Sequence, residues 1–387
     1  MTYYHRSLEA AVKRYLRLFP VVGITGPRQS GKSTMLRKLL SRKYRYVTFD
    51  DLTAVEQFTS DPEQFMGVYS DRVIFDEVQR VPELFHYVKR IVDEKREAYG
   101  RFVMTGSSQF GFMRNASESL AGRIGLLSLL PLQCAEIPVS QRNASVFRGG
   151  YPELVRRAYA GWGEWYDSYV NTYLTRDVRD ISAIGDMRDF RRCLRTLAVR
   201  VSQLLNMSDI ARDIGVSVPT VKKWISILEA SYILFLLPPY ASNIGKRMVK
   251  SPKVYFYDTG LVSFLTGISN EEVFERGPMS GALFENYVIA EVMKRELHTR
   301  SGAELFFLRD SNGNEIDLII GRGSRVQHVE IKSSHTFRPA MAKTLIAQAA
   351  EASDSMLVYR GKELEIGKGI PALNVFRYLG SKQNNEE

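Results

Sequence analysis

Apolar residues along this chain follow two rhythms, and the changes between them mark out its elements. Residues 6–18 (RSLEAAVKRYLRL) repeat apolar positions at helical spacing and predict a short amphipathic helix. From Phe19 an apolar run (Val21, Val22, Ile24) breaks at Gly26. A loop bounded by Gly26 and Gly31 follows, then a helical pattern to Leu40. Tyr44–Phe49 (YRYVTF), Arg72–Phe75 (RVIF) and Arg101–Met104 (RFVM) predict strands, separated by helical patterns to about Tyr69 and over Pro82–Ala98. Gly125–Leu132 (GLLSLLPL) predicts the last strand of this group. Strands alternating with helices predict an α/β fold with a parallel, doubly wound sheet.

From about Gly150 to Pro239 the pattern is mainly helical. Within it, Asn206–Leu228 (NMSDIARDIGVSVPTVKKWISIL) fits a helix–turn–helix, with Ser208 as the cap of a helix through Ile214, a turn at Gly215–Ser217 and a second helix from about Pro219. Val221, Trp224, Ile225 and Leu228 fall on the buried side of that second helix, and Lys222 and Lys223 lie near its start, where a recognition helix meets a groove. The alternative is a packing module that touches no DNA. Tyr232–Tyr240 predicts the strand of an attached wing. The last third begins near Ser251 and predicts a helix over Gly281–Arg295, a strand at Leu305–Arg309, a turn at Asn312–Asn314, then the strands EIDLII and VQHVEIK. A helix, a strand (SMLVYR) and a terminal strand around Val375–Tyr378 complete a small mixed sheet, and Ser381–Glu387 reads as a disordered tail. The expected domains are 1–148, 149–250 and 251–380.

At 387 residues, 44% hydrophobic and 25% charged, the composition is that of an ordinary globular chain of two or three domains. A net charge of +10 favours an anionic partner: a nucleotide, a nucleic acid or a membrane face. The two cysteines, Cys134 and Cys193, form no C-x-x-C and join no Cys/His cluster. A disulfide framework and a zinc site are therefore not expected, and a reducing cytoplasm is. The N-terminal stretch carries Glu9 and lacks a continuous apolar core, so it does not read as a signal peptide. The longest apolar run, Tyr232–Leu237, is too short to span a bilayer, and no membrane partner is expected.

The chemistry begins at Gly26-Pro27-Arg28-Gln29-Ser30-Gly31-Lys32-Ser33-Thr34, which is G-x-x-x-x-G-K-[ST] between a strand and a helix. Such a loop brings backbone N–H groups and the positive end of the following helix against phosphate oxygens. Lys32 is expected to reach the β- and γ-phosphates of ATP, and the Ser33 hydroxyl to ligate Mg²⁺. Asp76-Glu77 end an apolar strand at the carboxyl edge of the sheet, where ligands bind in this fold class. Asp76 would hold Mg²⁺ and Glu77 would polarise the attacking water. Ser107 and Ser108, after the next strand, are candidates to sense the γ-phosphate. Arg123 is a candidate to act on a neighbouring subunit's nucleotide, which implies a homo-oligomer, or else a surface arginine at a turn. Asp50 and Asp51 read as solvated carboxylates.

The order GPRQSGKST, VIFDEVQ, VMTGSSQF and SESLAGR resembles the ATPase domain of a widespread prokaryotic family of AAA-type ATP-binding proteins. In that family a second domain of unassigned function follows. GGYPE (Gly149–Glu153), YLTRDV (Tyr173–Val178), YFYDTGL (Tyr255–Leu261), GALFENYV (Gly281–Val288) and EIDLII…EIKSS match its downstream signatures. The resemblance covers nearly the whole chain.

One further constellation lies in the last third. Asp317 sits inside an apolar strand, and Glu330 and Lys332, two apart on the next strand, face one side. This D…E-x-K arrangement resembles the active site of the PD-(D/E)XK nuclease superfamily, with a restriction-endonuclease-like α/β fold. Glu285, on a helix, matches the extra acid often found there. The resemblance implies a second divalent metal held by the carboxylates at a scissile phosphate, with Lys332 orienting water. Three functional readings follow: an ATPase whose other domains bind nucleic acid or another partner, an ATP-controlled metal-dependent DNA nuclease, and a nucleotide-switched regulatory module with negligible turnover.

Overall fold

The computed structural model describes residues 3–106, 109–174, 187–240, 251–310, 313–349, 352 and 354–380. The chain opens with α1 (Leu8–Tyr15), β1 (Val21–Thr25), α2 (Lys32–Leu40), β2 (Arg45–Thr48), α3 (Leu52–Ser60) and α4 (Pro62–Val68). It continues with β3 (Val73–Asp76), α5 (Leu84–Glu94), β4 (Phe102–Thr105), α6 (Gln109–Ser119) and β5 (Ile124–Ser128). The strands form one parallel sheet in the order β2-β3-β4-β1-β5.

Every residue of β1, β3 and β4 is buried, because helices cover both faces of the sheet. Leu8, Val12, Met35 and Leu36 of α1 and α2 pack with Val22, Ile24, Ile74 and Val103 on one face. Phe49, Phe58, Phe65 and Phe85 pack with Val21, Phe75, Phe102 and Met104 on the other. The strand order puts the ends of β1, β3 and β4 side by side, so the phosphate-loop motif and the acidic pair converge on one edge. The helix α6 was not anticipated by the sequence pattern.

The middle of the chain holds α7 (Arg142–Arg148), α8 (Pro152–Arg156), α9 (Trp162–Ser168), α10 (Met187–Val199), α11 (Met207–Ile214) and α12 (Val218–Ala230). In the stretch read as a helix–turn–helix, α11 and α12 follow one another through Gly215 in the left-handed conformation. Its first cap is a correction. Asn206, not Ser208, accepts the free N–H groups of Ser208 and Asp209 at 3.1 and 3.2 Å. Ser217 caps α12, whose buried residues include Val221, Trp224, Ile225 and Leu228, and Lys222 and Lys223 are exposed.

β6 (Leu234–Leu237) and β7 (Lys253–Phe256) pair antiparallel, with Leu234 opposite Phe256. The boundary expected after residue 250 thus falls between two strands that pair with each other. Beyond it lie α13 (Thr259–Thr266), α14 (Glu271–Arg276), the long α15 (Ser280–Thr299), β8 (Glu304–Arg309), β9 (Glu315–Arg322), β10 (Arg325–Lys332) and α16 (Lys343–Gln348). The chain ends in β11 (Asp354–Tyr359), β12 (Leu364–Ile366), β13 (Ile370–Asn374) and α17 (Val375–Gly380). The second large sheet runs β12-β13-β11-β10-β9-β8, with β8, β9 and β10 antiparallel and β11 parallel to β10.

Val375–Tyr378 is helical, not the expected strand. Asn374 Oδ1 accepts the Phe376 N–H at 3.0 Å and opens the helix, and Val375, Tyr378 and Leu379 bury one helical face. One continuous apolar cluster runs from Leu130 to Leu379, so the middle and last segments share a core, and α15 also packs on α1 and β5.

Candidate nucleotide site and a second charged cluster

The phosphate loop is shaped by two glycines. Gly26 has φ 145°, and a Cβ there would lie 2.1 Å from the Leu129 carbonyl oxygen. Gly31 has φ 95° at the start of α2, a conformation that costs glycine little. Lys32 is buried and donates to the carbonyl oxygens of Gly26 and Pro27 at 2.9 and 3.0 Å. Ser33 Oγ donates to Asp76 Oδ2 at 2.6 Å. Gln29 Oε1 and Ser30 Oγ are buried with no hydrogen-bond partner among the described residues.

A cavity of about 1000 Å³ lies over this loop, lined also by Asp50 and Glu77 and, from elsewhere in the chain, by Tyr3, Tyr4, Pro152, Glu153 and Arg156. Glu77 follows β3 with φ 58° and ψ 42°, a left-handed conformation disfavoured for glutamate, and its carboxylate accepts from the Gln79 amide. Asp76 gathers two further donors, the hydroxyls of Tyr46 on β2 and Thr105 on β4. Burial and the bond to Asp76 push the Tyr46 phenol up to about 12. Tyr46 and Thr105 were missed from the sequence. The only signal for Thr105 was a polar residue ending an apolar strand.

Arg28, Gln29, Gly31, Lys32, Ser33, Thr34 and Glu77 therefore line one cavity, and Asp76 is tied to it through the bond from Ser33. Ser107 and Ser108 lie outside the described residues. Arg123 is not at this cavity. It precedes β5 at the opposite edge of the sheet, where its carbonyl accepts from Val21, and its guanidinium grips Asp93 with bonds of 2.6 and 3.0 Å. Asp50 is paired with Arg80 at 2.7 Å, and Asp51 caps α3 through Thr53 N–H at 2.9 Å.

The second cluster joins β7, α15, β9 and β10. Asp317 and Glu330 are buried, Asp317 Oδ2 accepts the Ile331 N–H at 2.8 Å, and Lys332 Nζ lies 3.4 Å from Asp317 and 2.5 Å from Glu330. Glu330 Oε2 is buried without a hydrogen-bond partner. Glu285 accepts from Tyr255 OH at 2.6 Å and from Lys253 Nζ at 3.0 Å, and Lys253 also holds Glu315 at 2.5 Å. Lys253, which opens the apolar strand β7 and is buried, carries no sequence signal of its own. Among the described residues, no three His, Cys, Asp or Glu side chains form a group that could hold a metal ion.

An AAA domain family model matches residues 18–138. Models described as domains of unknown function, DUF8612 and DUF4143, match residues 140–272 and 280–378. Over 342 residues the chain is 32% identical to the uncharacterized protein Rv2008c of Mycobacterium tuberculosis, covering 88% of this chain and 76% of that protein. The same figures hold for the uncharacterized protein Mb2031c of Mycobacterium bovis. The chain belongs to this AAA-type ATP-binding family.

Among solved structures, the chain is similar to the Walker-type ATPase PABY2304 of Pyrococcus abyssi. That match is 16% identical, covers 67% of this chain and 95% of that chain, and has a TM-score of 0.47. No helix among the described residues is long and apolar enough to cross a membrane.

The second cluster carries a pH prediction for this family member. Burial, with Asp317 adding to it, pushes Glu285 up to about 7 and Glu330 up to about 8, from an ordinary value of 4.5. Above pH 4.5 the unfolded chain has lost protons that the folded chain still holds, until the pH passes about 8. Stability therefore falls as pH rises through that window. Denaturant midpoints are expected to decline from pH 5 to 8, and to decline less in Glu330→Gln. An unchanged slope in that variant contradicts the assignment.

Proposed function

We propose that the chain hydrolyses ATP with Mg²⁺ at the cavity over residues 26–34. The observation that carries this reading is the Ser33–Asp76 hydrogen bond of 2.6 Å, with buried Lys32 and Glu77 lining the same cavity as Ser33. A hydroxyl and a carboxylate oxygen side by side suit a hard cation that keeps most of its ligands from water and phosphate, and Mg²⁺ in such sites uses only one or two protein carboxylates. Lys32 would exchange its two carbonyl partners for phosphate oxygens. Thr105 and Tyr46 would hold Asp76 in place, and Glu77 would orient the attacking water. Phosphate release is expected to require Mg²⁺ and to stop in excess chelator; release that continues there overturns the reading. Binding without release identifies the regulatory module instead.

A second reading concerns the C-terminal cluster. The buried, unpartnered Glu330 Oε2 and the order helix, three-strand meander, helix, parallel strand (α15, β8–β10, α16, β11) favour a nuclease-like domain acting on nucleic acid. Asp317 and Glu330 would hold a divalent metal, Lys332 would orient water, and Lys222 and Lys223 of α12 would contact DNA backbone. Cleavage of single- or double-stranded DNA with Mg²⁺ or Mn²⁺ is expected to disappear in Asp317→Ala and in Lys332→Ala. If wild type cuts nothing in any metal while hydrolysing ATP, the domain is a binding platform.

A further inference from the structure

Thr25 is the last residue of β1 and immediately precedes Gly26, so its position sets where the phosphate loop begins. Its carbonyl accepts the Leu129 N–H at 2.8 Å, and a Cβ at Gly26 would lie 2.1 Å from the Leu129 carbonyl oxygen, so the chain lies tight against residue 129 here. Thr25 pairs in register with Ser128, the last residue of β5. One side chain joins these two strand ends. The Tyr232 hydroxyl lies 2.7 Å from Thr25 Oγ1 and 2.8 Å from Ser128 Oγ. A phenol has one proton to give and lone pairs to accept with, so it can donate to one of these hydroxyls and accept from the other.

Tyr232 does not belong to the ATPase sheet. It stands two residues past the end of α12, at φ 56°, in the left-handed position that closes a helix and that glycine usually fills. The Tyr232 N–H donates to the Glu229 carbonyl at 3.0 Å and the Ile233 N–H to the Leu228 carbonyl at 2.9 Å. Its ring is buried and tilts against Tyr257 with centroids 6.1 Å apart. Packing alone asks only for the ring, which phenylalanine would supply. The hydroxyl is what reaches the loop. Arg6 already holds the far end of the same loop through the Ser30 carbonyl at 2.8 Å.

We infer that Tyr232 is a positioning residue for the nucleotide site: from the end of α12 its hydroxyl fixes Thr25, and with it the start of the loop that receives the phosphates. Tyr232 does not line the cavity and acts through Thr25. The inference rests on the ATP reading above. The same tyrosine ties α12, with its exposed Lys222 and Lys223, directly to the phosphate loop.

The test is the affinity of the full chain for Mg·ATP and Mg·ADP, measured by competition with a fluorescent nucleotide in wild type, Tyr232→Phe, Thr25→Val and the double variant. Urea midpoints are read on the same preparations. The loop takes phosphates that both nucleotides carry, so Tyr232→Phe is expected to weaken ATP and ADP alike by roughly 3- to 10-fold, the scale of one hydrogen bond. The loss is expected in KM for ATP, with kcat within about 2-fold. The double variant is expected to bind no more weakly than the weaker single variant, because both changes remove one interaction. A hydroxyl that serves stability alone lowers the urea midpoint and leaves both affinities unchanged, which overturns the inference. Losses that add in the double variant, or a loss confined to kcat, also overturn it. If wild type binds neither nucleotide, the ATP reading fails and takes this one with it. If wild type binds both and Tyr232→Phe binds them equally well, the ATP reading stands and this one does not.

Discussion

Replacing Glu77 by glutamine is expected to lower ATP turnover by roughly 10²- to 10⁴-fold while leaving Mg·ATP affinity within a few-fold, the range for loss of a positioned general base. The amide keeps the size and the contact with Gln79 but cannot take a proton. Position argues for this residue over its neighbour. Asp76 is already occupied by Ser33, Tyr46 and Thr105, whereas Glu77 lines the open cavity from a left-handed backbone position. The check is steady-state phosphate release alongside a binding titration on the same preparation. Turnover that survives the change places water activation on another group.

Arg6→Met is expected to destabilise the chain by about 3–5 kcal/mol, the cost of leaving a buried partner charge unpaired. Arg6 and Glu136 are both 3% exposed at the side chain and meet at 2.9 Å. The same guanidinium donates to the Ser30 carbonyl at 2.8 Å and the Leu130 carbonyl at 2.6 Å. Burial works to raise the Glu136 carboxyl, but Arg6 and the N–H groups of Ser7 and Gln133 outweigh it and hold that carboxyl below its ordinary value. Removing Arg6 therefore strands an anion and also frees the back of the phosphate loop, so nucleotide affinity falls too. The double variant Arg6→Met/Glu136→Gln is expected to recover part of the stability, because the stranded charge is gone. Urea unfolding of the three proteins reads both effects. A loss under about 1 kcal/mol in Arg6→Met contradicts this account of the pair.

What could be read in the chain was what lies contiguous in it. Lys32, Ser33, Asp76 and Glu77 sit in short motifs whose residue types suit phosphate and metal, and the apolar runs before them give the strands. Tyr46 and Thr105 reach Asp76 only because β2 and β4 flank β3, an order that periodicity does not state. Arg6 and Glu136 are 130 residues apart, and nothing local to either names the other. Lys253 opens an apolar strand and reads as an edge residue until α15 brings Glu285 beside it. The end of the chain misled for the opposite reason. Val375–Tyr378 looks like strand by composition, but Asn374 caps a helix there and burial follows helical spacing.

The most direct measurement is calorimetric titration of ATP with Mg²⁺ into wild type and into Lys32→Ala. Saturable binding at one site per chain is expected in wild type, lost or weakened by at least about 100-fold in the variant, with its circular dichroism spectrum unchanged. Equal affinity in the two proteins, or no binding in wild type, contradicts the assignment of the cavity over residues 26–34 as the nucleotide site.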